Sequence, residues 1–337
     1  MTLSPGSLGS VPDSGALLRL DNVDVSYARR GHSPVRAVIG ASLTVRAGEI
    51  VGLVGESGCG KSTLGRAAVG LIAPSAGQVH YRDEPLAVLG RSPRPSRVRS
   101  LQMVFQDPYA SLNPRRRVGH QIADAARLGC GARFDGSEAD DYVASLLERV
   151  GLSGSIAHRY PHEFSGGQAQ RIGIARALVV EPQLLICDEP VSALDVSIKS
   201  QIINLLLDLR AEQHLTYIFV AHDLATVRHI ADRVMVLYLG RVMEITDRDA
   251  LYARPLHPYT RLLLSAVPIP DPVRARARRA APGRDELPSP LALPSGCTFR
   301  TRCPLASERC AAERPPLRQI DGRVVACHHA QAAAGQP

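Results

Sequence analysis

The stretch GESGCGKST, residues 55–63, constrains the fold more than any other feature of this chain. It satisfies G-x-x-x-x-G-K-[ST] in full. A short apolar run, residues 49–54, precedes it, and helical sequence, residues 64–71, follows until Pro74 and Gly77. Strand, glycine loop and helix in that order make a phosphate-binding loop. Glycines let backbone N–H groups curl around phosphate oxygens while the helix presents its positive end. Gly55, Glu56, Ser57, Gly58, Cys59 and Gly60 are then the cradle. Lys61 reaches the β- and γ-phosphates, and the Ser62 hydroxyl, with Thr63 beside it, is placed for Mg²⁺. A chance glycine turn between strand and helix is the bland alternative, and the placement argues against it.

The rest of the pattern predicts an α/β protein. Residues 17–27, LLRLDNVDVSY, alternate as a half-buried strand does, and residues 35–45 read as a second strand. From Asp107 to about residue 163 the sequence turns helical, with Tyr142, Leu146, Leu147 and Val150 at helical spacing. Then follow a helix at 169–180, an apolar strand at 184–187, a helix at 196–213 and a strand at 216–220. A short helix after Asp223 leads to two strands, 233–239 and 241–245, turned at Gly240. Strands alternating with helices imply a mainly parallel sheet covered on both faces. The strand LLIC ends in Asp188-Glu189, which places two carboxylates at the sheet rim where ligands bind. Asp188 is expected to hold Mg²⁺, directly or through water, and Glu189 to polarise the water that attacks the γ-phosphate. Alone, such a pair is an ordinary loop entry; downstream of a phosphate loop it reads as catalytic.

A chain of 337 residues suits one domain of roughly 250 residues plus a C-terminal appendage. The formal charge of +8 raises nucleic acid as a partner, but the basic residues are dispersed. The cluster at 274–284 lies among Pro and Ala, so it reads as a solvated linker or, alternatively, a surface facing anionic lipid. No run approaches the 18 apolar residues that span a bilayer, and the N-terminus lacks a secretory pattern. Residues 1–16 read as a disordered lead, and the protein as cytosolic, with any membrane role reached through a partner. Of seven cysteines, four crowd the C-terminus: Cys297, Cys303, Cys310 and Cys327. Four thiolates in a loop-rich segment suit zinc or an iron–sulfur cluster, with free thiols or disulfides as the remaining readings. His328 and His329 are alternative ligands.

One family is similar to this chain on several motifs at once. FSGGQ, residues 164–168, matches the signature that separates ATP-binding-cassette (ABC) ATPases from other phosphate-loop enzymes. The resemblance implies that Ser165, Gly166, Gly167 and Gln168 form a second nest of amides, which caps the nucleotide of a partner cassette. It assigns Gln106, in VFQDP, to sensing Mg²⁺ and γ-phosphate, and Asp195, in SALD, to the loop that crosses the dimer. His222 matches the switch histidine on the γ-phosphate, and Tyr27, helped by Val38, the aromatic that stacks on adenine. Catalysis thus falls to Lys61, Gln106, Glu189 and His222. In isolation His222 and Tyr27 would be ordinary strand residues. One departure is Ala169, where the family often has Arg or Lys; a surface contact is expected to differ there. The implied fold is a phosphate-loop core of ABC type over residues 17–267. It has a mainly parallel sheet, an antiparallel β subdomain and a helical subdomain at about 107–165. Residues 268–337 form a linker and a small Cys-rich extension.

Longer stretches narrow the branch. FQDPYASLNPRRRVG, RYPHEFSGGQ, LHPYTRLLLSAVP and SGCTFRTRCPLASERC look like the oligopeptide/dipeptide importers, whose relatives also carry nickel and other solutes. The resemblance, over about residues 17–330, implies an ATP- and Mg²⁺-dependent ATPase, peripheral on the cytoplasmic face of the bacterial inner membrane. It further implies a homologous second cassette in a heterodimer, two transmembrane permease subunits and, indirectly, an extracytoplasmic solute-binding protein. A [4Fe–4S] cluster on the four tail cysteines is implied too, with zinc as the alternative. The rival class is a soluble ABC ATPase acting on nucleic acid. Such proteins carry a coiled-coil insertion or two fused cassettes, which this sequence lacks, so no nucleic-acid partner is expected.

Overall fold

The computed structural model describes residues 15–90, 94–130, 137–267, 288–289 and 291–331. The expected N-terminal lead lies outside the described residues except at its end, where Ala16 already opens the first strand. The Arg/Pro-rich linker also falls outside them.

Strands β1 (Ala16–Arg29) and β2 (His32–Arg46) pair antiparallel, and β3 (Ile50–Val54) runs into the glycine loop and helix α1 (Lys61–Ala68). Strands β4 (Ala76–Tyr81) and β5 (Glu84–Pro85) complete a four-stranded antiparallel sheet, ordered β2-β1-β4-β5. Next come β6 (Leu101–Val104), α2 (Val118–Cys130), α3 (Ser137–Arg149), α4 (Gly166–Leu178), β7 (Leu184–Asp188), α5 (Val196–Gln213) and β8 (Thr216–Ala221). The chain continues through α6 (Leu224–Ile230), β9 (Arg233–Tyr238), β10 (Arg241–Asp247), α7 (Arg248–Ala253) and α8 (Pro258–Ser265). A short helix, Glu308–Ala312, and the hairpin β11 (Arg318–Ile320) and β12 (Arg323–Val325) follow.

The main sheet has eight strands, ordered β11-β12-β10-β9-β3-β8-β7-β6, and the run from β9 to β6 is parallel. Its strands read as unbroken apolar runs because both faces are covered. Ile50, Leu185, Cys187, Tyr217, Phe219 and Val236 face a core shared with α2–α6. The alternate residues Val51, Leu53, Ile186, Ile218, Val220 and Met235 face a second core with α1 and the antiparallel sheet. Helix α1 stops at Ala68, earlier than Pro74 suggested, because Gly70 takes φ +70° just beyond it.

The tail is less of an appendage than expected. β12 pairs with β10 through Glu244↔Val325 and Ile245↔Val324, which extends the main sheet over an otherwise open edge. Phe299 is fully buried, its ring centroid 5.3 Å from those of both Tyr238 and Tyr259. The segment leading into α8 is anchored by Glu244, a carboxylate with no exposure. It accepts from the N–H groups of Leu256 (2.9 Å) and His257 (3.0 Å) and from the Thr260 hydroxyl (2.7 Å). Burial raises the Glu244 pKa, opposed by those hydrogen bonds.

Candidate active site

The phosphate loop rests against the turn between β9 and β10. A Cβ on Gly55 would lie 2.2 Å from the Leu237 carbonyl oxygen, and one on Gly60 would lie 2.2 Å from that of Ala37. Both glycines hold positive φ, +153° and +105°, so these positions exclude side chains on two grounds. The Cys59 carbonyl accepts from Gly240 N–H at 2.8 Å, while the Cys59 thiol is buried behind the loop. Ser57 and Gly58 are exposed at its crest.

Lys61 is buried, and its ammonium donates to the carbonyls of Gly55 (2.8 Å) and Glu56 (3.0 Å). These contacts hold it folded back over the loop that it closes. Its Nζ is 4.0 Å from a Glu189 carboxylate oxygen. At the end of β7, Asp188 is 1% exposed and accepts from the Ser62 hydroxyl at 2.6 Å. Burial raises its pKa; the Ser62 bond and the Arg66 and Lys61 charges act the other way. The second oxygen, Oδ2, is buried with no hydrogen-bond partner. A hydroxyl beside a half-satisfied buried carboxylate is the oxygen donor set a hard divalent cation takes, which fits Mg²⁺.

Glu189 stands in the left-handed region, φ +45°, a strained conformation for a non-glycine residue. Its N–H donates to the Val220 carbonyl at 3.1 Å, fixing it to the end of β8. One carboxylate oxygen accepts from Gln106 Nε2 at 3.2 Å and lies 3.4 Å from His222 Nδ1. Gln106 and His222, 83 and 33 positions from Glu189 in sequence, thus meet at one of its oxygen atoms. Tyr27 is 40% exposed, and its hydroxyl is 3.1 Å from Thr63 Oγ1, which places the ring beside the loop.

Two expected placements differ. Val38 has no exposed surface; it packs with Val25 and Leu64 in the inner core and offers no face to a purine. The β1–β2 register instead sets half-buried Val35 directly across from Tyr27. Ala169 is fully buried, so the departure from Arg or Lys there is a packing difference and not a surface contact.

The signature sits at the start of α4. Ser165 caps the helix: its hydroxyl accepts from Gln168 N–H (3.4 Å), and the Gln168 side chain accepts from Ser165 N–H (3.0 Å). This capping box starts the helix three residues before the apolar periodicity does. Gly167 packs so closely on α5 that a Cβ would lie 2.5 Å from the Ile198 side chain. Asp195 is exposed at the N-cap of α5, and Val196 next to it is 82% exposed.

Sequence reasoning missed two groups that touch the loop. The Glu56 N–H donates to the Tyr259 hydroxyl at 3.0 Å, and the Glu56 carboxylate pairs with Arg302. Both lie in segments, LHPYT and RTRCP, that sequence offered only as marks of a branch.

The tail cysteines 297, 303, 310 and 327 are free thiols, so none is in a disulfide. Cys297 N–H donates to the Cys310 carbonyl at 2.8 Å. Burial, with smaller contributions from the other three thiols, pushes the Cys303 pKa up to about 12. Among the described residues, no group of three or more His, Cys, Asp or Glu side chains converges to hold a metal ion. His329 Nε2 lies 2.8 Å from the Ser307 hydroxyl and His328 Nε2 lies 3.1 Å from the Glu313 carbonyl oxygen.

Fold and site together define a phosphate-loop nucleotide hydrolase. Residues 38–192 match the family described as ABC transporter, and residues 243–310 match the oligopeptide/dipeptide transporter C-terminal region. The oligopeptide transport ATP-binding protein OppF of Salmonella typhimurium is 51% identical over 294 residues, 87% of each chain. The probable peptide ABC transporter ATP-binding protein y4tS of Sinorhizobium fredii is 49% identical over 330 residues, 95% of this chain and 92% of that one. Among solved structures, the dimeric cassette MJ0796 bound to ADP and Pi superposes with a TM-score of 0.62. It shares 27% identity and covers 68% of this chain and 98% of its own. The chain belongs to the ABC ATPases, in the oligopeptide/dipeptide transporter family.

Proposed function

We propose that this chain is the ATP-hydrolysing subunit of an importer that carries di- or oligopeptides across the bacterial inner membrane. The observation that carries the reading is the joint occurrence of an intact hydrolytic site and the peptide-transporter C-terminal region on one chain. The named relatives, about half identical over nearly the whole length, support peptides over nickel or nucleic acid. No helix among the described residues is long and apolar enough to cross a membrane, so the reading needs permease partners and peripheral attachment.

In the cycle we infer, the triphosphate takes the Lys61 ammonium from the Gly55 and Glu56 carbonyls, and Tyr27 flanks the adenine. Ser62 and Asp188 are the residues that would hold Mg²⁺, whose charge neutralises the phosphates. Glu189 accepts a proton from the attacking water, held in line by Gln106 and His222. The helix start at Ser165–Gln168, which packs on the start of α5 through Gly167 and Ile198, forms a face for a second cassette.

For the tail we keep the [4Fe–4S] reading as a proposal. Its support is the four free thiols in one region and the buried, unpartnered donors Arg241 Nε and Nη1 and Thr298 Oγ1 lining a small cavity with Cys297. Such donors suit anionic sulfur. Iron and sulfide analysis of anaerobically purified protein tests this, and protein free of both sinks it.

The hydrolytic reading is tested by Glu189→Gln, which should bind ATP as wild type does while kcat falls about 10²- to 10⁴-fold. Full activity in that variant would remove Glu189 from the mechanism. For the solute, loss of dipeptide uptake on deleting the gene, with nickel uptake intact, supports peptides; the reverse pattern overturns them.

A further inference from the structure

The phosphate loop contains a carboxylate, Glu56, in a place built to receive polyphosphate. Its charge is met from the far end of the chain. Arg302 Nη1 and Nη2 donate to Glu56 Oε2 and Oε1 at 2.8 and 2.9 Å, a bidentate pair. The arginine side chain is only 9% exposed, and its guanidinium sits 5.8 Å from the Tyr238 ring centroid and 6.0 Å from that of Phe299. The Glu56 backbone is held as well, because its N–H donates to the Tyr259 hydroxyl. Its carbonyl receives Lys61, the group that must swing to the nucleotide. Residues beyond position 250 therefore fix the charge and the backbone of one loop residue.

We propose that Arg302 is a positioning residue for ATP. It cancels the Glu56 carboxylate beside the phosphates and pins the loop through a fork that an ammonium cannot reproduce. The pair acts on nucleotide binding and not on the attacking water, since Arg302 contacts neither Glu189 nor His222 among the described interactions. Removing Arg302 leaves a negative charge beside the phosphates and removing Glu56 leaves a positive one, so the two single variants must move ATP affinity in opposite directions.

The inference rests on the ATPase reading, and ATP binding by the wild-type full-length chain is the control that separates the two. Arg302→Gln should raise Kd and KM for ATP about ten-fold while kcat changes less than about two-fold, the pattern of lost ground-state binding. Glu56→Gln, which removes the negative charge and keeps the guanidinium, should tighten ATP about two-fold. The double variant should recover most of the loss, because the uncancelled charge is gone. Arg302→Lys, the milder change should Arg302→Gln fail to fold, should weaken ATP about three-fold, because it keeps the charge and loses the fork. Unchanged affinity in Arg302→Lys, or a double variant as weak as Arg302→Gln, would overturn the proposal and leave the pair a fold contact only.

Discussion

Glu244→Ala should weaken both the fold and the ATP site, although Glu244 lies outside the catalytic group. The carboxylate is wholly buried and accepts three hydrogen bonds at 2.7–3.0 Å. Truncation leaves the backbone N–H groups of Leu256 and His257 buried without acceptors, whereas the Thr260 hydroxyl can rotate toward another oxygen. Each stranded donor costs about 1–3 kcal/mol, and the vacated volume adds to that, for a total of about 3–5 kcal/mol. Part of the loss is offset because the charge itself is costly to bury, as its raised pKa shows. For a domain of this size the total corresponds to a drop in Tm of roughly 6–10 °C. Differential scanning fluorimetry with and without ATP reads both consequences. The segment that Glu244 anchors carries Tyr259, which holds the Glu56 amide, so the stabilisation by ATP should shrink as well. Thr260→Val is the graded control, losing about 1 kcal/mol. A Glu244→Ala protein that melts within a degree of wild type would refute the assignment of this carboxylate as the anchor.

Further expectations follow from the same geometry. Gly60→Ala places a Cβ 2.2 Å from the Ala37 carbonyl oxygen, so its melting temperature should no longer rise with ATP; a normal rise would show that the loop can relax. Burial pushes the His257 pKa down to about 3 from 6.5, so the folded state resists protonation that the unfolded chain accepts. Stability should therefore fall as pH drops below about 6.5, with a slope near 1.4 kcal/mol per unit from this group. Glu244 acts in the opposite sense. Its raised pKa gives stability below about 4.5 that is lost as pH rises through the folded value. His257→Asn, which keeps an acceptor for the Tyr259 N–H, should flatten the acid slope in urea titrations; an unchanged slope would assign it to other groups.

Much of the site was legible in the sequence because its chemistry is local. The glycine loop, Lys61 and Ser62 occupy one turn, and Asp188-Glu189 ends a strand whose apolar run marks it as buried on both faces. Helix α5 was expected at its observed bounds, and β9 and β10 close to theirs. Edge strand β6 escaped notice because four residues carry too little periodicity to distinguish a strand. Val38 was misplaced for a different reason: it was carried over with Tyr27 from the family resemblance, which does not tell how deeply α1 covers that strand.

What the sequence determined by itself was the phosphate-binding loop, the carboxylate pair and the alternation that makes a parallel sheet. Each depends on neighbours within a few residues, where propensity and spacing act directly. Only the tertiary structure decided that Gln106, Glu189 and His222 converge on one carboxylate oxygen. It alone showed that the cysteine-bearing tail extends the main sheet, and that Arg302 reaches Glu56 across 246 positions. Those contacts join segments distant in sequence, and no local pattern encodes them. The catalytic convergence arises because β6, β7 and β8 lie side by side and parallel, and the tail contacts because β10 offers an open edge and Phe299 covers the aromatic surface of Tyr238 and Tyr259.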